Sequence, residues 1–208
     1  LGDGTLAVVE IGLRPVHADV LSHLQPDRGV PVEAAVAAHE KADAISKYAV
    51  GYWRYTPRFD DLTDVDRHGN PLRRSNSGAY FLAEQSVYRE KDHPTQGLAL
   101  FFRYGVANGD VNTLDHSYSL GLRYKGLLPG RDEDEFGIGL TRGHAGVKFR
   151  QAAATPLASK ETAVEITYRA KLTPWLAIQP SVQRIINPGF NAALGNAWVA
   201  GARFEIAF

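Results

Sequence analysis

Trp198-Val199-Ala200-Gly201-Ala202-Arg203-Phe204-Glu205-Ile206-Ala207-Phe208, the last stretch of the chain, decides the fold. Apolar residues occupy every second position up to Phe208, and the positions between them carry Arg203 and Glu205. A period of two is typical of a β-strand, whose side chains point alternately to opposite faces. An exposed apolar face costs roughly 25 cal/mol per Å² in water, but it is favourable against lipid. The stretch therefore predicts a strand of a transmembrane antiparallel β-barrel.

The same alternation recurs upstream in segments of about ten residues, which is the length of a tilted strand that crosses a bilayer. Between residues 97 and 106, apolar side chains from Leu98 to Val106 oppose a set that contains Arg103. Similar segments lie at 117–125, 136–141, 161–170 and 175–182, and weaker ones lie at 5–13, 47–55 and 78–88. Pro180 lacks a ladder hydrogen bond, so a bulge or local distortion is expected there. The sequence thus predicts an all-β protein with about nine strands in this chain.

Composition excludes several other classes. The chain has 208 residues, and its 23 basic and 23 acidic side chains leave no net field to attract nucleic acid. Cysteine is absent, which excludes disulfides, thiolate metal sites and cysteine nucleophiles. A mean hydropathy of −0.24 is usual for soluble proteins, but alternating barrel strands also average to a polar value.

The connections predict an orientation if the C-terminus is periplasmic. Short turns at 89–95, 126–133 and 171–174 then lie on the periplasmic side, and segments at 57–76, 107–116, 143–159 and 187–196 lie outside. A helix-like insertion at about 15–46 does not fit this rule. Single-chain bacterial barrels have an even number of strands. An odd number of strands, together with the lack of a signal peptide, therefore predicts further strands on the N-terminal side. The alternative is that the strands are miscounted by one.

Several motifs resemble the carbohydrate-selective porin family, often called OprB-type porins. They are KYAVGYW at 47–53, QGLALFFRYG at 96–105, GLRYKGLLPGR at 121–131, EITY at 165–168, TPWLAIQPSVQ at 173–183 and NPG at 187–189. The resemblance implies a bacterial outer-membrane barrel of about 16 strands that passes sugars by diffusion. Residues 1–208 would then be the C-terminal portion of one such barrel, supplying about its last eight or nine strands. Phe208 resembles the C-terminal aromatic signal that such barrels present to their assembly machinery.

A sugar channel needs charged hydrogen-bonding groups and aromatic rings. The candidate pore-lining residues are Arg103, Arg123, Lys125, Glu165, Arg169, Gln179, Gln183, Arg203 and Glu205. The alternative is that each of them only solvates the lumen wall and pairs with a neighbouring strand. The sequence does not separate these two roles.

Aromatic residues near strand ends are candidates for the lipid–water interface, where Trp and Tyr are enriched. They are Trp53, Trp175, Trp198, Tyr118, Tyr124 and Phe208. Stacking of the tryptophans on sugar rings is the alternative role.

We expect no metal site and no cofactor. The seven histidines show no zinc-binding spacing, which favours surface or loop positions for them. Residues 108–115 carry oxygen ligands at alternate positions but lack the glutamate that completes an EF-hand-like loop. Calcium in this external loop stays an open alternative.

The sequence therefore favours a channel whose partners are sugars, the lipid bilayer and the assembly machinery, without nucleic acid. The alternatives are a non-selective or structural outer-membrane barrel and an outer-membrane enzyme. A soluble β-sandwich is a further rival, and detergent dependence would distinguish it.

Overall fold

A computed structural model of the chain describes residues 4–14, 46–93 and 95–207. These residues form one antiparallel sheet in which the strands follow one another in chain order. The strands are β1 (Leu6–Leu13), β2 (Ser46–Val65), β3 (Pro71–Arg89), β4 (Gly97–Ala107), β5 (Leu114–Lys125), β6 (Glu135–Ala145), β7 (Lys160–Thr173), β8 (Leu176–Ile186) and β9 (Ala197–Ile206). A short helix, α1 (Val147–Ala152), and a 3-10 turn (Pro188–Phe190) complete the described elements. The predicted all-β antiparallel architecture is confirmed.

One face of the sheet is an exposed apolar surface. Leu100, Leu122, Ile138, Ile166 and Val182 are successive register partners across β4 to β8. Register partners share a face, so these side chains form one band across five strands. Ile166 is 52% exposed and Val182 is 48% exposed. A continuous apolar band of this extent is stable against lipid rather than water.

The described residues contain almost no apolar core. The buried hydrophobic side chains among them are Ala49, Ala145, Ala177 and Phe190. A single-layer sheet has no second layer to cover either face, so the apolar face must meet lipid. No helix in the described segments is long and apolar enough to cross a membrane.

The β2–β3 hairpin is longer than the sequence pattern predicted. Strands β2 and β3 have 20 and 19 residues, and most of the segment 57–76, expected as a loop, is strand. β3 pairs with β4 only up to Gly78↔Ala107, so the hairpin projects beyond its neighbours. One face of the projecting part packs against α1 and the β4–β5 loop, where Lys148 contacts Asp61 and Asp110, so polar side chains replace the apolar alternation while the backbone ladder continues. We call the end of the sheet at which this hairpin projects the hairpin end. The end that carries the β5–β6 and β7–β8 turns is called the turn end.

Pro180 lies at a local distortion of the β7–β8 pairing and not at a bulge. The β7–β8 partners run to Thr167↔Ser181 and resume at Ala170↔Ile178 in the same register. The register shift in this hairpin lies instead between Lys171 and Thr173. The missing proline N–H therefore interrupts the pairing without adding a residue.

The connection at 143–159 contains α1, which the pattern did not predict. The Phe149 ring of α1 meets the Phe190 ring edge-on, with centroids 6.2 Å apart. Residues 15–45, which include nearly all of the helix-like insertion, and Phe208 lie outside the described residues.

Candidate functional site

The face opposite the apolar band carries rows of charged side chains. Lys125, Glu135 and Arg169 are successive register partners on β5, β6 and β7. Glu165 and Gln183 are partners in a neighbouring row on the same face. We call this surface the polar face.

Opposite charges on the polar face are held in pairs between neighbouring strands. Arg103 Nη2 lies 3.0 Å from Glu84 Oε1, and Arg123 Nη1 lies 3.1 Å from Glu135 Oε1. Each pair joins side chains on two adjacent strands, as cross-strand ion pairs do. The surface is therefore charged locally and close to neutral in sum.

The pairing continues toward the turn end. Arg169 Nη2 lies 2.6 Å from Glu205 Oε2 across β8, and Lys125 Nζ lies 3.3 Å from Glu133 Oε1. These groups are partly exposed, so each pair adds little stability. Their main effect is on the electrostatic field at the polar face rather than on the stability of the fold.

Part of the predicted residue set lines one pocket on the polar face. Arg103, Arg123, Glu165, Arg169 and Gln179 line it together with Glu84, Glu135 and Phe101. Lys125, Gln183, Arg203 and Glu205 share the face through their register positions but lie outside the lining of this pocket. The structure thus brings five of the nine candidates to one place.

Phe101 is a residue of this pocket that the sequence analysis did not single out. Its register partners across β5 and β6 are Gly121 and Gly139, and its ring occupies the space that a side chain at Gly121 would need. Arg103 Cζ lies 5.6 Å from the centroid of this ring. The alignment of one aromatic residue with glycines on the next two strands is the signal from which Phe101 could have been identified.

Trp53, a candidate for the lipid–water interface, lies on the polar face. Its ring covers Gly78 on β3. Tyr80 covers Gly51 in the same way, and its hydroxyl lies 2.6 Å from Glu10 Oε2. Together with Phe101, three aromatic side chains on this face therefore lie over glycines.

Among the described residues, the remaining interface candidates lie on the apolar face or at a strand end. Trp198 is 66% exposed, and Arg184 Cζ lies 4.9 Å from its ring. Tyr118 is the register partner of Tyr104. Trp175 lies in the β7–β8 turn and is 54% exposed, and Tyr124 donates a 3.0 Å hydrogen bond to Glu90 at the turn end.

Comparison with known proteins identifies the family. The model of the carbohydrate-selective porin, OprB family, matches residues 1–208. The chain belongs to this family. The family resemblance inferred from the motifs is thereby confirmed, and it places the chain in the bacterial outer membrane.

Two known proteins align with most of the chain. Porin B of Pseudomonas aeruginosa is 30% identical over an alignment of 187 residues, and the match covers 78% of this chain and 41% of that protein. Putative porin QuiX of Acinetobacter baylyi is 25% identical over an alignment of 181 residues, and the match covers 78% of this chain and 40% of that protein. The chain thus spans about two fifths of the length of these relatives.

Solved structures show the same fold. The high-pH structure of OprB from Pseudomonas putida is 25% identical, with a TM-score of 0.79 over 99% of this chain and 49% of that chain. The low-pH structure of the same protein is 23% identical, with a TM-score of 0.50 over 78% of this chain. The open sheet described here therefore corresponds to part of a porin barrel.

The hairpin end of this porin segment carries a cluster of charges, the Asp61 cluster. Lys148 Nζ of α1 lies 2.7 Å from Asp61 Oδ2, 2.7 Å from Asp64 Oδ2 and 2.9 Å from Asp110 Oδ1. Arg74 of β3 lies 2.9 Å from Asp61 and 3.1 Å from Asp64. Five side chains from the β2–β3 hairpin, the β4–β5 loop and α1 thus meet at one point.

Protonation in the Asp61 cluster follows from these contacts. Burial of Asp61 works to raise its pKa, but hydrogen bonds from Lys148, from the Asp64 and Thr63 amides and from Arg74 hold the pKa well below its usual value. The hydrogen bond from Lys148 lowers the pKa of Asp64, and the two carboxylates raise that of Lys148. Asp61, Asp64 and Lys148 are therefore charged at neutral pH.

The turn end is fixed by a buried carboxylate in the β5–β6 turn. Asp134 is 3% exposed, and it accepts hydrogen bonds from Tyr168 Oη at 2.6 Å, the Lys171 amide at 2.8 Å and Arg131 Nε at 2.6 Å. Burial tends to raise its pKa, but these hydrogen bonds lower it overall. This residue ties the β5–β6 turn to the end of β7.

Proposed function

We propose that the whole protein, of which this chain is a part, is a porin that lets carbohydrates diffuse passively across the outer membrane. Residues 1–208 would form the C-terminal portion of a single barrel of about 16 strands. The observation that carries the proposal is the pocket in which paired charges from neighbouring strands surround the Phe101 ring. Membership of the carbohydrate-selective porin family supports the same solute class.

Paired charges suit a neutral, hydroxyl-rich solute. A sugar gains nothing from a net field, whereas it can exchange hydrogen bonds with Arg103, Glu84, Arg123 and Glu135. Charge-assisted hydrogen bonds are about twice as strong as neutral ones, so these groups can replace water around the hydroxyls. Glu165, Gln179 and Gln183 would add acceptors and amide groups to the same surface.

Aromatic rings on the polar face suit the C–H face of a sugar. The Phe101 ring lies over Gly121 and lines the pocket. Trp53 and Tyr80 also lie over glycines, toward the hairpin end. Aromatic rings provide stacking surfaces for a solute that moves along the polar face.

Liposome swelling with the complete protein tests the carbohydrate preference. We expect faster entry of a monosaccharide than of an amino acid of similar size, with a disaccharide slower than the monosaccharide. Equal rates for all three solutes would contradict the preference and favour a non-selective or structural barrel.

The stacking role of Phe101 has a matched control in the next residue. Phe101→Ala should reduce the sugar rate several-fold while leaving salt conductance near the native value. Phe102→Ala changes the same side chain on the apolar face and should leave the sugar rate unchanged. Equal effects of both substitutions would remove Phe101 from the proposed path.

The proposal includes no covalent chemistry and no cofactor. A barrel hydrolase would need a serine hydrogen-bonded to a histidine. In the described residues His116 and His144 instead contact the Asp115 carboxylate. Release of fatty acid from phospholipid by the purified protein would overturn this part of the proposal.

We also propose that Phe208 is recognised by the outer-membrane assembly machinery. The proposal rests on its place in the apolar alternation of the sequence at 198–208. Replacing Phe208 by serine should lower the amount of heat-modifiable barrel in the outer membrane. Native levels would contradict the assembly role.

A further inference from the structure

Two histidines and an aspartate converge at the hairpin end, on strands β5 and β6. Asp115 Oδ1 lies 2.7 Å from His116 Nδ1 and 3.1 Å from His144 Nδ1. The two imidazoles are stacked, with centroids 4.4 Å apart and an interplanar angle of 16°. One oxygen and two nitrogens with metal-ligand chemistry thus lie within 4.8 Å of one another.

The sheet register explains why these side chains meet. His116 and His144 are direct cross-strand partners, so they share a face and lie side by side. The register shifts by one residue between Leu114 and His116, which makes Asp115 the extra residue of a β-bulge. A bulge re-aims a side chain, and here it turns the Asp115 carboxylate toward the two imidazoles.

We propose that Asp115, His116 and His144 form a zinc-binding site that clips β5 to β6. Zinc takes imidazole nitrogen and carboxylate oxygen at about 2.0–2.2 Å, so two ligands of a tetrahedral ion lie about 3.3–3.5 Å apart. The two N–O distances here, 2.7 and 3.1 Å, need to open by about 0.6–0.8 Å and about 0.2–0.4 Å respectively to reach that separation. Water would complete the coordination, as it does in zinc sites with three protein ligands.

The surroundings permit entry of an ion. The three side chains are between 28% and 37% exposed, so solvent reaches them. The nearest charged neighbours along the register are Lys160, the partner of His144, and Arg142, two residues before it. Arg142 is turned away from the site, because its Nε donates a 2.8 Å hydrogen bond to Thr162.

The site lies on the side of the wall away from the polar face. His116 is the register partner of Val106, and the next pair on that face is Tyr104↔Tyr118. Zinc at this position should hold the hairpin end together without obstructing the polar face. The inference is therefore independent of the proposed sugar path.

Zinc chloride titration of the detergent-solubilised complete protein, followed by calorimetry, tests the site. We expect His116→Gln and His144→Gln each to weaken binding at least about tenfold, since both remove a direct ligand. Asp115→Asn keeps the side-chain shape and should weaken binding as well. His68→Gln changes an exposed histidine in the β2–β3 turn and should leave the affinity of this site unchanged.

Heat-modifiable migration of each variant shows that the barrel is folded, so a folding defect cannot imitate a loss of ligands. Cobalt substitution gives a second readout, because tetrahedral cobalt has a visible spectrum that His144→Gln should abolish. No zinc binding by the native protein, or equal affinity in the native protein and in folded His116→Gln and His144→Gln, would overturn the proposal. Zinc binding that is lost only in these ligand variants supports it.

Discussion

Nζ of Lys148 lies 2.7 Å from Oδ2 of Asp61, although 87 residues separate them in the chain. The Asp61 side chain is completely buried by this contact and by Arg74. A buried carboxylate without its cations would be strongly unfavourable. The pair therefore fixes α1 against the β2–β3 hairpin.

Loss of this pair should loosen the hairpin end. Lys148→Met removes the only α1 cation that contacts Asp61, Asp64 and Asp110, so we expect several-fold faster amide exchange in α1 and in the β2–β3 turn. Hydrogen exchange with mass spectrometry measures this. Arg73→Ala is the control, because the Arg73–Asp60 pair is mostly exposed and should contribute little; equal effects would contradict the prediction.

The Asp61 cluster should also respond to pH in a defined direction. The folded-state pKa values of Asp61 and Asp64 lie below the ordinary 3.8, so their stabilisation is complete above that value and is lost as the pH falls further. The pKa of Lys148 lies above the ordinary 10.5, so its contribution is complete below that value and is lost as the pH rises further. Proteolysis of the β2–β3 turn should be constant between these limits and increase outside them. A transition near neutral pH that persists in Lys148→Met would contradict this assignment.

Removal of one charge from the wall should change ion selectivity. Arg123→Ala leaves Glu135 without its 3.1 Å partner, so the wall gains net negative charge and the reversal potential should shift toward cations. The double substitution Arg123→Ala/Glu135→Gln should restore the native value. If neither variant shifts the potential, these side chains only solvate the wall.

The glycines beneath Phe101 should differ in their tolerance of alanine. A Cβ at Gly121 would meet the Phe101 ring and the Ile138 carbonyl oxygen, whereas a Cβ at Gly139 would approach the ring no closer than 3.7 Å. Gly121→Ala should therefore lower both the yield of folded barrel and the sugar rate, and Gly139→Ala should change neither. Swelling assays on the purified variants make the comparison; equal behaviour would contradict the position of the ring.

Asp134 should be the most sensitive position at the turn end. Asp134→Asn weakens hydrogen bonds to Tyr168 and Arg131, and hydrogen bonds to a charged group contribute about 1.5–3 kcal/mol each. The temperature at which the barrel loses its heat-modifiable form should fall by several degrees. Asp132→Asn alters an exposed neighbour and should have no effect, so a similar fall in both variants would argue against the buried network.

The parts of the structure that were predictable from sequence are those that the bilayer constrains. Lipid on one side of the sheet and water on the other impose an alternation of apolar and polar residues. This alternation predicted β4 and β9, and it assigned Leu100 and Arg103 to opposite faces. Beyond the bilayer this constraint ends, which is why the projecting half of the β2–β3 hairpin was interpreted as a loop.

Contacts between residues that are distant in sequence could be identified only from the register of the strands. His116 and His144 show no zinc spacing in sequence, and only their pairing across β5 and β6 brings them together. The same holds for Lys148 and Asp61, and for Phe101 above Gly121. Trp53 was expected at the lipid–water interface because its residue type is frequent there, and only the register shows that it lies on the polar face.

The cross-strand pairing of charges has a consequence for the response of transport to ionic strength. A paired arginine and glutamate present a dipole, whose field decays faster with distance than that of a single charge. Screening acts over about 8 Å at physiological salt and about 3 Å at 1 M, so there is little long-range attraction for salt to remove. The rate of sugar passage along the polar face should therefore be nearly the same at high salt concentration as in dilute buffer.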